Sequence, residues 1–252
     1  MKKSFFLILF FLTSHFALSQ VGNLPKTEDF FIGKYQKMSN EQDFEIKEKL
    51  TLDYFETLKD FLSKNPKSFA YNFSKLTKET GLSIATSKDE KLRFYSWDTQ
   101  MGGTMKDFAK IIQFQSNGKV VTLSNNSDDD AYFVSKIFET SLNNKRYYLV
   151  ISNGIFSTKD VSQAIQAFRI ENGRLIDSDK IFKSKKESLN RIESSFDFFS
   201  AADRPESPLE LITFDDKSNS VYIPLVNEKG AVSSKRLVYQ KKGNYFEYKG
   251  IK

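Results

Sequence analysis

The apolar residues of this chain change period near residue 82, and that switch constrains the fold more than any other feature of the sequence. Before it, residues 26–80 read as helical: Ile46, Leu50, Tyr54, Leu58 and Phe61 recur every three or four positions and share one helix face. Ser39-Asn40-Glu41-Gln42 has the spacing of a capping box ahead of that face. Asn65-Pro66 stops the helix, because a residue before proline is biased out of the helical region. A shorter helical or extended segment through Phe69, Phe73 and Leu76 ends near Gly81. From Leu82 onward, short runs of Ile, Val, Phe and Tyr are punctuated by Gly, Asn, Asp and Ser, which is the pattern of strands joined by tight turns.

Two of those turns are explicit. Asn117-Gly118 joins Ile111-Ile112-Gln113-Phe114 to Val120-Val121-Thr122-Leu123, and Asn172-Gly173 joins Ile165-Gln166-Ala167-Phe168 to Leu175-Ile176. Asn-Gly supplies the two left-handed residues of a hairpin turn, so both pairs are expected to be antiparallel. Three similar runs, Leu92–Thr99, Tyr147–Gly154 and Leu209–Asp216, are each followed by a further strand and a glycine turn at Gly118, Gly173 or Gly230. Three copies of a meander unit would account for that spacing. The expected fold is α+β: a helical segment over 20–81 packed on an antiparallel β-meander region over 82–252, together one compact unit. A propeller-like set of sheets is the first expectation for the β region, and a barrel or sandwich the second. Pro224 should mark an edge or a bulge, since it cannot donate a ladder hydrogen bond.

The amino terminus reads as a secretory signal over residues 1–19. Lys2 and Lys3 precede the apolar run Phe5 to Leu12, and Ala17-Leu18-Ser19 offers a small-x-small cleavage pattern, with Gln20 the first mature residue. The run is too short to span a bilayer, and no membrane span is expected after the signal is removed. The expected location is the periplasm or the outside of the cell. Among 38 basic residues, removing Lys2 and Lys3 leaves 36 against 32 acidic, a net +4. That balance, spread along the chain, argues against a nucleic-acid partner, and Lys180, Lys183, Lys185, Lys186 and Arg191 read as a solvated basic loop.

Residue types that are missing narrow the chemistry further. The chain has no cysteine, and its one histidine, His15, falls in the signal. Ser-His-Asp and Cys-His nucleophilic machinery and the usual zinc, copper or haem sites are therefore excluded from the mature chain. No cofactor and no metal site is expected; Asp128-Asp129-Asp130 lacks the glycine and oxygen ligand that a calcium-binding EF-hand loop needs, and reads as a solvated turn. Carboxylate chemistry remains: Asp98, Glu193 and Asp197 lie beside aromatic or apolar residues, and a glycosidase would need two of them about 5–9 Å apart in one groove.

The most distinctive segment runs from Ser87 to Met105 and contains Leu92-Arg93-Phe94-Tyr95-Ser96-Trp97-Asp98-Thr99 and Gly102-Gly103-Thr104. Its Asp89-to-Trp97-Asp98 part resembles a strand of a WD-type propeller blade, which implies antiparallel strands in propeller-like sheets, although the Gly-His element and a second Trp-Asp are absent. The whole segment also resembles uncharacterised exported β-rich proteins with a Leu-Arg-x-Tyr-Ser-Trp-Asp-Thr stretch before Gly-Gly-Thr, a family that implies no catalytic residue. A ligand site, if placed here, would use Arg93, Tyr95, Trp97, Asp98, Gly102 and Gly103. The expected function is a non-enzymatic binding or interaction module whose partner is a glycan or another exported protein; the alternative is a carboxylate-based glycoside hydrolase. The readings separate on geometry: a hydrolase needs facing carboxylates with Trp97 or tyrosines on the groove wall, whereas a structural role for Trp97 requires its burial.

Overall fold

The computed structural model of the chain describes residues 24–124, 131–204 and 210–252; residues 1–19, read above as a signal, and Asp128-Asp129-Asp130 lie outside the described residues. Three α-helices come first, α1 (Leu24–Asn40), α2 (Phe44–Lys64) and α3 (Ser74–Thr80), with a 3-10 turn (Pro66–Ala70) between the second and third. The helix start differs from the capping-box expectation. Ser39 belongs to the end of α1 and donates its hydroxyl to Gln100, while Asp43, four residues later, caps α2 by accepting from the Ile46 amide at 3.0 Å. Starting there, α2 buries Tyr54, Leu58 and Leu62 and leaves Ile46 47 % exposed.

Fifteen strands follow among the described residues, and twelve of them form three four-stranded antiparallel meanders. The first sheet is β1 (Ser83–Thr86), β2 (Leu92–Asp98), β3 (Phe108–Ser116) and β4 (Lys119–Ser124). The second meander is β5 (Tyr132–Leu142), β6 (Lys145–Ile155), β7 (Asp160–Glu171) and β8 (Arg174–Ile176). Two short strands, β9 (Phe182–Lys183) and β10 (Ser188–Leu189), then lead to β11 (Arg191–Asp197), which pairs with β7 on the edge that β8 also uses. The third meander is β12 (Thr213–Asp215), β13 (Ser220–Val226), β14 (Val232–Lys242) and β15 (Tyr245–Ile251), extended by β9 lying parallel to β15.

The Asn-Gly turns form as expected, with left-handed backbone at Asn117, Gly118, Asn172 and Gly173. Their pairing tracts differ in one case: β8 pairs with Arg169–Glu171, because residues 161–168 of β7 are already laddered to β6 on one edge and 160–166 to β11 on the other. The first two meanders are in phase with the proposed repeat, Gly118 and Gly173 each joining third to fourth strand. The third is shifted: Gly230 joins β13 to β14, and the turn in the equivalent place is at Gly243. Pro224 sits at a register break between Pro224 and Val226, where β12 no longer flanks β13.

The sheets stack in series. Successive residues of β2 point to opposite faces, so Arg93, Tyr95 and Trp97 meet the helices while Leu92, Phe94 and Ser96 meet the second sheet. One core lies between helices and first sheet (Phe31, Tyr54, Leu58, Tyr95, Trp97), a second between first and second sheets (Leu92, Phe94, Ile112, Val150), and a third between second and third sheets (Leu149, Ile165, Val221, Phe246). The α+β class with antiparallel sheets is thus correct, but neither a propeller nor a closed barrel forms among the described residues. Stacking in a row, with helices covering one outer face, leaves no ring to close.

Arg93 anchors the helical layer. The residue is 3 % exposed, and its guanidinium donates to the carbonyls of Ser68, Phe69 and Tyr71, at the negative end of the 3-10 turn, and lies 5.2 Å from the Tyr95 ring centre. Replacing it with methionine strips the donor from the Phe69 and Tyr71 carbonyls, while that of Ser68 keeps the Tyr71 amide, so Arg93→Met is expected to cost about 3 kcal/mol in a urea titration. A loss below about 0.5 kcal/mol would show that the helices dock without it.

Candidate functional site

The residues singled out in the 87–105 segment do structural work. Trp97 is 1 % exposed, with Tyr54 edge-on at 5.3 Å and Phe55 at 5.9 Å between ring centres. Tyr95 is fully buried, which drives its phenol pKa upward, and its hydroxyl donates to Gln113, whose amide in turn donates to the Leu62 carbonyl at 3.1 Å. Together with Arg93 they form the helix-facing side of β2, which leaves no surface there for a ligand. Asp98 pairs with Lys106 at 2.7 Å and accepts from the Gln100 amide, and it borders a small pocket of about 220 Å³. Gly102 and Gly103 shape the loop after it: a Cβ on Gly102 would sit 2.1 Å from the Met105 carbonyl oxygen, and Gly103 has φ +63°.

The three carboxylates weighed for hydrolysis are held in separate networks. Asp98 has Lys106; Asp197 pairs with Lys159 at 3.4 Å and caps the short 3-10 turn Phe198–Ser200 by accepting from Phe199. Glu193 alone faces a substantial cavity, one that sequence reasoning did not foresee.

That cavity, about 560 Å³, opens between the first and second sheets where their shared core gives way to polar residues. β3 contributes Lys110, 3 % exposed and cross-strand from Ser96, on the face that otherwise carries Ile112 and Phe114. The second sheet contributes rows set by register. Val134, Ser152, Ala164 and Glu193 stand side by side across β5, β6, β7 and β11, and Val150, Gln166 and Arg191 form the adjacent row. Ser152 is only 6 % exposed, lines the cavity, and makes no side-chain hydrogen bond among the described residues. Gln166, also on the wall, makes none either.

Glu193 is a polarised acceptor. Burial alone would raise its pKa, but hydrogen bonds from Tyr132 and Ser162 (2.9 Å), together with the Arg191 guanidinium at 3.2 Å, outweigh this and hold the carboxyl below its usual range. Tyr132, its pKa raised by burial and then by the bond to Glu193, reaches across two strands to do so. Gly154 leaves room for that reach: it stands directly beside Tyr132 on β6, in the row that continues to Ser162, and a Cβ there would be 3.0 Å from the Tyr132 ring and 3.1 Å from Phe156. Arg191 also covers the Tyr132 ring at 4.6 Å. Asp177 lines the cavity from its exposed rim. Among the described residues, no group of three or more His, Cys, Asp or Glu side chains is placed to hold a metal ion.

No protein-family model, no curated protein and no solved structure matches this chain.

Because the folded-state pKa of Glu193 is depressed, its contribution to stability is present above the unfolded value of about 4.3 and is lost as pH falls through the lower folded value. Glu193→Gln is expected to lower the thermal midpoint at pH 7 and to narrow its gap to the parent below pH 4. A gap that stays constant from pH 7 to pH 3 would contradict the ionised, paired state of Glu193.

Proposed function

We propose that this chain is an exported binding protein with no covalent chemistry of its own, and that the cavity between its first two sheets holds a small polyhydroxylated solute such as a glycan fragment. The observation that carries the reading is Ser152, a residue 6 % exposed whose hydroxyl opens on the cavity and has no partner among the described residues. A hydroxyl that lines a cavity without a protein partner is a place where a ligand or water completes the bonding. Gln166 adds an unengaged amide, and the Glu193 carboxylate keeps lone pairs beyond those used by Tyr132, Ser162 and Arg191. Phe94 and Phe168 supply an apolar wall, and the volume falls within the range of about 300–1,000 Å³ common for small-ligand sites. The signal-like residues 1–19 support export to the periplasm or beyond, and the Leu92–Thr99 segment supports kinship with exported β-rich proteins.

Glu193 and Asp177 line the same cavity, which keeps a carboxylate hydrolase as the second reading. Neutral mono- and oligosaccharides, screened by thermal shift on the mature chain, test both. The binding reading expects a midpoint rise with at least one saccharide, reduced in Ser152→Ala and in Gln166→Leu, with no new reducing ends after prolonged incubation. A flat response across the panel would overturn it, and release of reducing ends that Glu193→Gln abolishes would replace it with the hydrolase.

A further inference from the structure

We infer that a second, apolar pocket at the far end of the second sheet binds a small uncharged hydrophobic molecule, a ligand of the size and character of a single aromatic ring. The pocket holds about 240 Å³ and is walled by Gly154, Ile155, Val161, Phe196 and Phe198, from the end of β6, the start of β7, β11 and the turn that follows β11. Its chemistry follows from what its polar neighbours are already doing. Asn153 donates to Ser135 and accepts from Gln163, both at 2.7 Å. Ser157 donates to the Asp160 carboxylate at 2.8 Å and accepts from the backbone amides of Lys159 and Asp160. Ser162 donates to Glu193.

Thr158, at the exposed mouth, is the one remaining side chain on the wall with polar atoms. The pocket therefore offers an occupant almost no hydrogen bonding, and a charged or strongly polar molecule would lose its water there without compensation. An apolar cavity of about 150 Å³ in another protein stays dry and takes up benzene, so one of this size and lining has room for a ring bearing a small alkyl group.

The site is built rather than incidental. Its rim is a closed turn: Phe156 and Ser157 both donate to the Asp160 carbonyl, and Phe198 donates to that of Lys159, which fixes the β6–β7 connection against the segment after β11. Gly154 brings bare backbone to this wall, and a Cβ there would press on the Tyr132 and Phe156 rings at 3.0 and 3.1 Å. Phe199, 62 % exposed, stands beside Phe198 and extends the apolar surface outward from the mouth.

The test uses the mature chain, with toluene as probe and benzoate as the same ring bearing a charge. Toluene near saturation is expected to raise the thermal midpoint by about 2 °C or more, and benzoate is expected to leave it unchanged. Val161→Phe and Thr158→Phe each fill the space and should abolish the toluene response; Thr158 lies at an exposed turn, so that variant keeps the test intact if Val161→Phe does not fold. Absence of a toluene response, an equal response to benzoate, or a response that survives in both filled variants would overturn the assignment. The saccharide panel leaves this outcome untouched, since it addresses the other cavity.

Discussion

The structure depends on a buried cation whose hydrogen-bond partners are backbone carbonyls. Arg93 is placed by β2 on the face that meets the helices, and its guanidinium gathers the carbonyls of Ser68, Phe69 and Tyr71. Burial lowers its pKa, yet arginine retains its charge in any folded protein, so the dipoles at the end of the 3-10 turn must stabilise it. Opposite it in register, Gln113 links Tyr95 on β2 to the last turn of α2. Around these two polar anchors Trp97, Tyr54 and Leu58 fill the layer with apolar contact. A second tie comes from α1, where buried Glu28 accepts from the Leu76 amide in the first turn of α3 and from Tyr71, whose pKa that bond pushes up to about 12.

Covering one face of the first sheet forces its other face to meet the second sheet, and everything downstream follows that order. The second sheet, packed on both sides, reads as continuous apolar sequence in Tyr147 to Ile151, as a doubly buried strand must. The apolar filling between first and second sheets ends where Ser96, Lys110 and Ser152 replace Phe94, Ile112 and Val150. That substitution of residue type, one strand pair further along, turns a core into a cavity.

Much of the fold was legible in the sequence because it rests on local signals. The change of period at residue 82 falls between the end of α3 at Thr80 and the start of β1 at Ser83, and the Asn-Gly dipeptides gave two hairpins. The stacking order was not legible, since nothing in a strand's alternation says which layer its apolar face will meet. The candidate site was missed for the same reason: Lys110, Ser152, Gln166 and Glu193 come from four strands in two sheets and converge only through register. One clue was present, a lysine inside the otherwise apolar run Phe108–Ile112. Conversely, the Trp97-Asp98 segment drew attention because its residues are rare and large, and those properties serve packing at least as often as recognition.

The central claim is that the helices are docked on the first sheet through the Arg93, Tyr95 and Trp97 face. Trp97 is the only tryptophan in the chain, so its fluorescence reports that layer alone. The account predicts blue-shifted emission with little quenching by acrylamide in the native chain lacking residues 1–19, shifting red and becoming quenchable in one step with urea unfolding. Emission like that of free tryptophan, quenched strongly before the sheets unfold, would mean that the helical layer is not seated on β2 and would contradict the account.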